Sequence, residues 1–313
     1  MQKLLSLFIF SLLLGCTPSI DEVAQTENNT APYLVVLGTA QDAGFPQSAC
    51  QKDCCRAVWE NPDLREWVSC MAFVDPVTQK AWMFDATPDF KNQLHYLQKN
   101  LNSDLAGIFL THAHMGHYTG LMHLGREAMG AQAMPVYAMP KMKGFLSGNG
   151  PWSQLVQLEN ISIQPLKNDS SQQITSSLRV TPLQVPHRDE YSETVGYSIQ
   201  GPRKKALFIP DIDKWEKWSL DINTLIKDHD LVFLDGTFFA NGEIPGRDMS
   251  EIPHPFVEES MAKFGALSQT DRAKVHFIHF NHTNPVLRAE SEASRKVKAQ
   301  GMHIARTGDQ FPL

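Results

Sequence analysis

Cysteine is scarce in this chain: five among 313 residues, too few for a disulfide-stapled scaffold. No apolar stretch reaches the roughly 20 residues needed to cross a bilayer; the longest, Leu4 to Leu14, is about half that. Positive charge is not in excess either. Lys and Arg number 28 against 34 Asp and Glu, a net −6, which argues against the basic face of a general nucleic-acid binder. Glycine and proline stand at 19 each without a Gly-X-Y period, which excludes a collagenous chain. What is present is 42% hydrophobic, 20% charged and 9% aromatic content, the make-up of a globular protein. Histidine is the informative residue, because several of the twelve sit at ligand-like spacings.

The N-terminus reads as an address. Met1-Gln2-Lys3 precedes the apolar run, which ends in Leu13-Leu14-Gly15-Cys16. This segment resembles the bacterial lipobox, in which the peptide is cut before the cysteine and the cysteine is lipidated. An ordinary secretory signal with Cys16 incidental is the alternative. Residues 1–15 are thus expected to be a signal peptide, and 16–31, polar and without apolar period, a flexible tether. The working domain is expected over 32–313, anchored to a bacterial membrane through lipid on Cys16 and facing the periplasm or exterior.

The remainder alternates short apolar runs with amphipathic stretches. Strands are predicted at Tyr33–Leu37, Met71–Val77, Lys80–Asp85, Gly107–Leu110, Pro135–Ala138, Ile161–Pro165, Val180–Val185, Val195–Ile199, Ala206–Ile209, Leu231–Leu234 and Val275–Phe280. Phe90, Leu94, Leu97 and Leu101 place one apolar stripe on a helix, with Pro88 near its start. Further helices are predicted from about Gly120 to Ala131, at Pro255–Phe264 and at Arg288–Ala299. Sheets covered by helices, in one α/β body, follow from this pattern.

One cluster carries chemistry: His112-Ala113-His114-Met115-Gly116-His117, directly after the strand Gly107–Leu110. Residues two apart on extended chain face the same side, so His112 and His114 can grip one metal, while His117 can face a neighbouring one. Imidazole suits zinc, and a catalytic zinc keeps about three protein ligands and one open position. A histidine-rich turn with ordinary imidazoles is the competing reading for any one of them; three within six residues at a strand end favour metal.

Thr111 to Leu121 resembles the signature of the metallo-β-lactamase superfamily, His-x-His-x-Asp-His at a strand end. The resemblance implies an αββα four-layer sandwich with metal at one edge. It also implies His187 as the third histidine of the first metal, Asp211 as the bridging and water-orienting carboxylate, and His279 as the last histidine of the second metal. One departure is plain: Gly116 stands where the family carries Asp. The first metal would keep His112, His114, His187 and Asp211, and the second only His117, His279 and shared Asp211, with water filling the gap. One tight metal, or a labile second one, is the expectation.

Cys50, Cys54 and Cys55 lie in a loop after the first strand. With His282 as fourth ligand they would make a closed tetrahedral zinc site. One disulfide plus a free thiol is the rival in an oxidising compartment. Cys70 reads as a small buried hydrophobe.

Four further segments, Gly38–Gln47, Phe84–Phe90, Leu234–Phe238 and Asn281–Leu287, resemble the pyrroloquinoline quinone (PQQ) biosynthesis protein B family. That family usually lacks the first two histidines and keeps the aspartate; this sequence does the reverse. The expected reaction is metal-assisted hydrolysis of an ester, phosphodiester or related bond in a small molecule, with His187 and Asp211 as the catalytic pair. An oxidase- or oxygenase-like step on a quinone precursor, with iron in place of zinc, and a non-catalytic metal-binding lipoprotein are the alternatives. Asp42, Tyr118, Asp235, Thr237 and His254 are candidates for the substrate shell, each weighed against turn and capping roles, and His254 against a structural or rim position. His95, His123, His229, His276 and His303 carry no spacing argument and read as surface or helix residues. Specificity is assigned to the loops Met139–Pro151 and Phe239–Pro253.

Overall fold

The computed structural model describes residues 30–313. The signal-peptide, Cys16 lipidation and tether expectations therefore fall outside the described residues, save for the last two positions of the tether. No helix among the described residues is long and apolar enough to cross a membrane.

Strands β1 (Tyr33–Gly38), β2 (Cys70–Asp75), β3 (Lys80–Phe84), β4 (Asp104–Phe109), β5 (Met134–Ala138) and β6 (Ile161–Pro165) build the first sheet. The second uses β7 (Gln172–Gln173), β8 (Arg179–Gln184), β9 (Val195–Gln200), β10 (Lys205–Ile209), β11 (Leu231–Asp235), β12 (Val275–Ile278) and β13 (His303–Ile304). The final strand, β14 (Gln310–Pro312), returns to the first sheet beside β1. The orders are β14-β1-β2-β3-β4-β5-β6 and β13-β12-β11-β10-β9-β8-β7.

Both faces of each sheet are covered, which is why central strands read as unbroken apolar runs rather than alternating ones. In β1, Leu34 and Val36 face the other sheet, where Phe84, Phe109, Tyr197, Phe208 and Phe233 interlock. Val35 and Leu37 face outward onto Phe90, Leu94 and Leu97 of α2, which spans Phe90–Asn100 after α1 (Asp53–Glu60). The helices that follow are α3 (Met115–Tyr118), α4 (Pro140–Gly148), α5 (Trp152–Gln157), α6 (Ile222–Asp228), α7 (Val257–Phe264), α8 (Gln269–Arg272) and α9 (Glu292–Ala299). Of these, α6, α7 and α9 cover the outer face of the second sheet through Ile222, Ile226, Val257, Phe264 and Val297. The result is helix, sheet, sheet, helix, the four-layer sandwich expected.

Strand direction places the site. β3 to β6 are parallel, as are β10 to β13, so their carboxyl ends share one edge in each sheet. β1 reaches the same edge because two successive antiparallel steps, β1 to β2 and β2 to β3, restore direction; β8 does so through β9 and β10. Loops at the carboxyl ends of such strands are where α/β sheets put their ligands.

Several expectations need correction. The helix predicted from Gly120 to Ala131 is a 3₁₀ segment over Thr119–Leu124 that ends at Gly125. Cys54 and Cys55 lie on α1 rather than in a loop, and α4 occupies most of the predicted loop Met139–Pro151. His229 and His276 are buried, not surface residues, whereas Cys70 is buried as expected.

Candidate metal centre

His112 and His114 follow β4, His187 follows β8 and Asp211 follows β10. One donor atom from each lies within 4.8 Å of the others. Asp211 Oδ2 stands 3.4 Å from His112 Nε2, 3.2 Å from His187 Nε2 and 3.9 Å from His114 Nδ1, and the last two nitrogens are 3.3 Å apart. Metal–donor bonds of about 2.0–2.1 Å in a tetrahedron require edges of about 3.3 Å. The spacing fits.

Proton counting makes the case stronger than distance alone. The Thr111 hydroxyl gives its one hydrogen to Asp85 Oδ2 at 2.9 Å, so at 3.0 Å it can only accept from His112 Nδ1–H. His187 Nδ1 faces the acceptor Asp213 Oδ1 at 3.2 Å, and His114 Nε2 faces Glu190 Oε2 at 3.2 Å. Each ring thus spends its N–H on an outer partner and turns a lone pair inward, toward a carboxylate that also only accepts. His112 Nε2 and Asp211 Oδ1 are buried with no hydrogen-bond partner. Lone pairs converging with no hydrogen among them repel unless a cation joins them. Outer-partner orientation of this kind is the usual support of metal-ligating histidine. Burial, then the neighbouring His117, holds His112 well below the usual histidine range and keeps it neutral, as a ligand must be. Burial opposes the charge on Asp211, but His187 and His254 outweigh it and hold the carboxyl well below its ordinary value.

Beside this set stand His117 and His279, both fully buried. His117 Nδ1 lies 2.7 Å from Asp85 Oδ2, and His279 Nδ1 2.9 Å from Thr237 Oγ1, whose hydrogen goes to Asp235 Oδ1 at 2.7 Å. His279 holds φ +68°, a left-handed conformation costly for a residue with a Cβ, at the point where β12 turns into the site. Asp42, from the loop after β1, brings Oδ1 to 3.2 Å from His117 Nε2 and 3.6 Å from His279 Nε2. The three donor atoms form one compact group. A carboxylate thus stands beside the gap left by Gly116.

His254 is not a rim residue. It is buried, its Nδ1 2.8 Å from Asp235 Oδ2 and 3.3 Å from Asp211 Oδ1. Burial disfavours its charge, yet the carboxylates of Asp235 and Asp211 prevail and push it up to about 9. Asp235 and Thr237, offered above as substrate shell, are fully buried and hold His254 and His279 instead. Asp85, Asp213, Glu190 and Thr111 were missed as site residues by sequence reasoning; single acids and a threonine in turns carry no spacing signal.

Cys50, Cys54, Cys55 and His282 also meet. Cys54 Sγ lies 3.9 Å from Cys50 Sγ and 4.0 Å from Cys55 Sγ, and His282 Nδ1 lies 3.3 Å and 3.6 Å from Cys55 and Cys54. A disulfide needs about 2.05 Å, so the rival pairing is not formed here. Zinc–sulfur bonds of about 2.3 Å give tetrahedral edges of about 3.8 Å, which these separations match.

A cavity of about 1010 Å³ opens onto His114 and Asp42. Its wall carries Tyr118, Phe145, Trp152 and Tyr191, linked edge to face and tilted at 5.2–5.6 Å, with Arg188 and Glu190 at its rim. The Met139–Pro151 segment does line it, through Phe145, Asn149 and Gly150; Phe239–Pro253 does not.

With that geometry in hand, the sequence of the Beta-lactamase superfamily domain matches residues 82–280. The chain belongs to the beta-lactamase superfamily. It is 25% identical to coenzyme PQQ synthesis protein B of Xanthomonas euvesicatoria pv. vesicatoria (strain 85-10), covering 90% of this chain and 99% of the relative. Among solved structures it is similar to Zn(2+)-bound PqqB from Methylobacterium extorquens, with a TM-score of 0.75, 22% identity, and 90% and 100% coverage. It is also similar to a diphosphatase of the PhnP family, with a TM-score of 0.62, 20% identity, and 90% and 98% coverage. These likenesses support a metallo-β-lactamase sandwich of the PqqB kind.

Proposed function

We propose that this superfamily member is a metal-dependent hydrolase of a small molecule bearing an ester, phosphodiester or related bond. One observation carries the reading: at one sheet edge, imidazole and carboxylate lone pairs converge at cation-binding distances, with their hydrogens all turned outward. His112, His114, His187 and Asp211 would hold the first ion, and Cys50, Cys54, Cys55 and His282 a structural zinc. A divalent metal there supplies Lewis acidity and lowers the pKa of a bound water toward neutrality.

The chain's own groups do the rest. Asp211 is placed to orient the attacking water. With Nδ1–H committed to Asp235, proton exchange between His254 and a departing oxygen falls to Nε2. The aromatic wall of Tyr118, Phe145, Trp152 and Tyr191 supplies a flat apolar surface for the body of the substrate, and Arg188 an anchor for an anionic group. One fold neighbour is a diphosphatase, in keeping with a phosphorus–oxygen bond as the one cleaved. A second reading, a step in making a quinone cofactor with iron at the same ligands, is favoured by the name of the curated relatives. The lipobox-like segment ending at Cys16 supports a membrane-surface location.

The test is metal analysis of the purified chain, followed by ester and phosphodiester panels with the native metal restored. Turnover that vanishes in His114→Ala supports the hydrolase. Full metal loading without turnover on either panel overturns it, and iron as the native metal turns the choice to the second reading.

A further inference from the structure

We propose that Asp42, from the loop after β1, is the carboxylate ligand of a second metal ion, taking the place that Gly116 vacates in the histidine motif. The proposal deepens the metal-centre reading above and rests on it.

Three observations carry it. The first is convergence without hydrogens. His117 faces Asp85 through Nδ1 and His279 faces Thr237 through Nδ1, so as neutral rings both present Nε2 lone pairs to Asp42 Oδ1 at 3.2 and 3.6 Å. Asp42 Oδ1, His117 Nε2 and His279 Nε2 are all buried without a hydrogen-bond partner. A proton on His117 Nε2 would serve Asp42 and leave His279 unserved; a divalent cation serves all three.

The second is the volume around Gly116. This residue does not have positive φ, so no backbone conformation demands glycine there. Space does. A Cβ on Gly116 would stand 2.5 Å from Asp42 Cα and 2.8 Å from Asp42 Cβ, and closer still to its Oδ1. The backbone and Cβ of Asp42 fill the space that a side chain at 116 would enter, so glycine at 116 is what lets the β1 loop bring its carboxylate this close.

The third is how the loop is held. Phe280 N–H donates to Thr39 O at 2.7 Å and Gln41 N–H to Phe280 O at 2.8 Å, a bridge between the β1 loop and the residue after His279. Ala40 also pairs with Val68. Asp42 is thereby delivered to His279 by backbone, not by a free side chain.

The experiment counts ions and needs no substrate. Zinc content after gel filtration, zinc affinity by chelator competition, and the visible spectrum of the cobalt(II) form are measured for the full chain, Asp42→Asn, and Gly116→Ala, whose Cβ would press on the Asp42 backbone. Wild type is expected to hold two ions at the centre besides the one at the cysteine site. Asp42→Asn should keep the cysteine-site ion and the first centre ion while binding the second at least about 10-fold more weakly, the scale of losing even an outer partner. Gly116→Ala keeps the carboxylate but displaces it, and should weaken the second ion likewise while keeping the first. The retained cysteine-site zinc shows that each variant is folded. A wild-type centre with one ion, or Asp42→Asn with two held as tightly as in wild type, overturns the proposal while leaving the hydrolase reading standing. A Gly116→Ala variant that binds the second ion as tightly as wild type overturns the volume argument. A centre with no ion overturns both readings.

Discussion

Asp85→Asn isolates what the buried outer partners contribute. Asp85 is fully buried and accepts from Thr111 N–H at 2.7 Å, Thr111 Oγ1–H at 2.9 Å and His117 Nδ1–H at 2.7 Å. Asparagine keeps the volume and tolerates the φ of +75° found here. It offers only one acceptor oxygen. With that oxygen on Thr111 N–H, its amide N–H₂ must face the Thr111 hydroxyl and His117 Nδ1. His117 escapes the clash of donors by moving its hydrogen to Nε2, which buries a hydrogen where a metal would bind. The Thr111 hydroxyl turns as well, and the His112 tautomer follows. Reversing this on metal binding leaves a buried donor unpaired, at a cost of about 1–3 kcal/mol. That corresponds to a loss of about 10–100-fold in affinity. Chelator competition with zinc reads the affinity, and nitrogen-15 shifts of the metal-free imidazoles read the tautomer directly. Centre ions bound within about twofold of wild type, with His117 still protonated on Nδ1, would refute the reasoning.

Three shorter predictions follow from other parts of the molecule. Cys54→Ser should lose one zinc equivalent and unfold at lower denaturant while the centre keeps its ions, since metal-binding energy at a closed site is folding energy; unchanged zinc content would count against the four-ligand site. Burial drives His229 and His276 down to about 4, against 6.5 in an unfolded chain. Between those values the unfolded chain takes up protons the fold refuses, so stability is full above 6.5 and falls as pH drops toward 4, by up to about 3 kcal/mol per histidine. Urea unfolding at pH 7.5 and 5 should therefore show a smaller acid loss in His276→Gln than in wild type, and equal losses would contradict it. On any substrate found by the panels, Trp152→Ala should raise KM about 10-fold with little change in kcat, because an aromatic wall contributes binding common to ground and transition states; a fall in kcat alone would move Trp152 into the chemistry.

What the sequence made legible was the part written in spacing. His112, His114 and His117 stand in six residues, and His187, Asp211 and His279 each end an apolar strand, so their meeting follows once both sheets are seen to share an edge. Cys50, Cys54, Cys55 and His282 are legible for the same reason. The partners Asp85, Asp213 and Glu190 are not, because one acid in a turn looks the same whether it caps a backbone or holds an imidazole. Asp42 was visible as a substrate-shell candidate but not as a partner of the histidines, since nothing in the chain says that residue 42 lies against residue 116. Short helices escaped where composition speaks against them: α4 holds Gly144 and Gly148 between Pro140 and Gly150-Pro151. The segment after His117 misled in the opposite direction. Its apolar spacing is helical, but Gly120, Gly125 and Gly130 let the chain tighten into 3₁₀ and turn.

The division between legible and hidden residues bears on how such a centre can vary. The inward lone pairs come from residues just past strand ends, His117 from the short helix α3, whereas the cores that set the edge, Phe84, Phe109, Phe208 and Phe233 among them, lie between the sheets. A carboxylate can therefore pass from the loop after β4 to the loop after β1 without disturbing the packing, provided the vacated position shrinks to glycine. Apart from His112, the histidines are less free to move, because each depends on an outer acceptor from another segment: Asp85 after β3 for His117, Asp213 after β10 for His187, and Thr237 with Asp235 at the end of β11 for His279. Relocating a histidine would strand its partner as a buried, unpaired acceptor. On this argument the imidazole positions are the fixed frame of the centre and the carboxylate at the second ion is its adjustable part, which is where this chain departs from the motif.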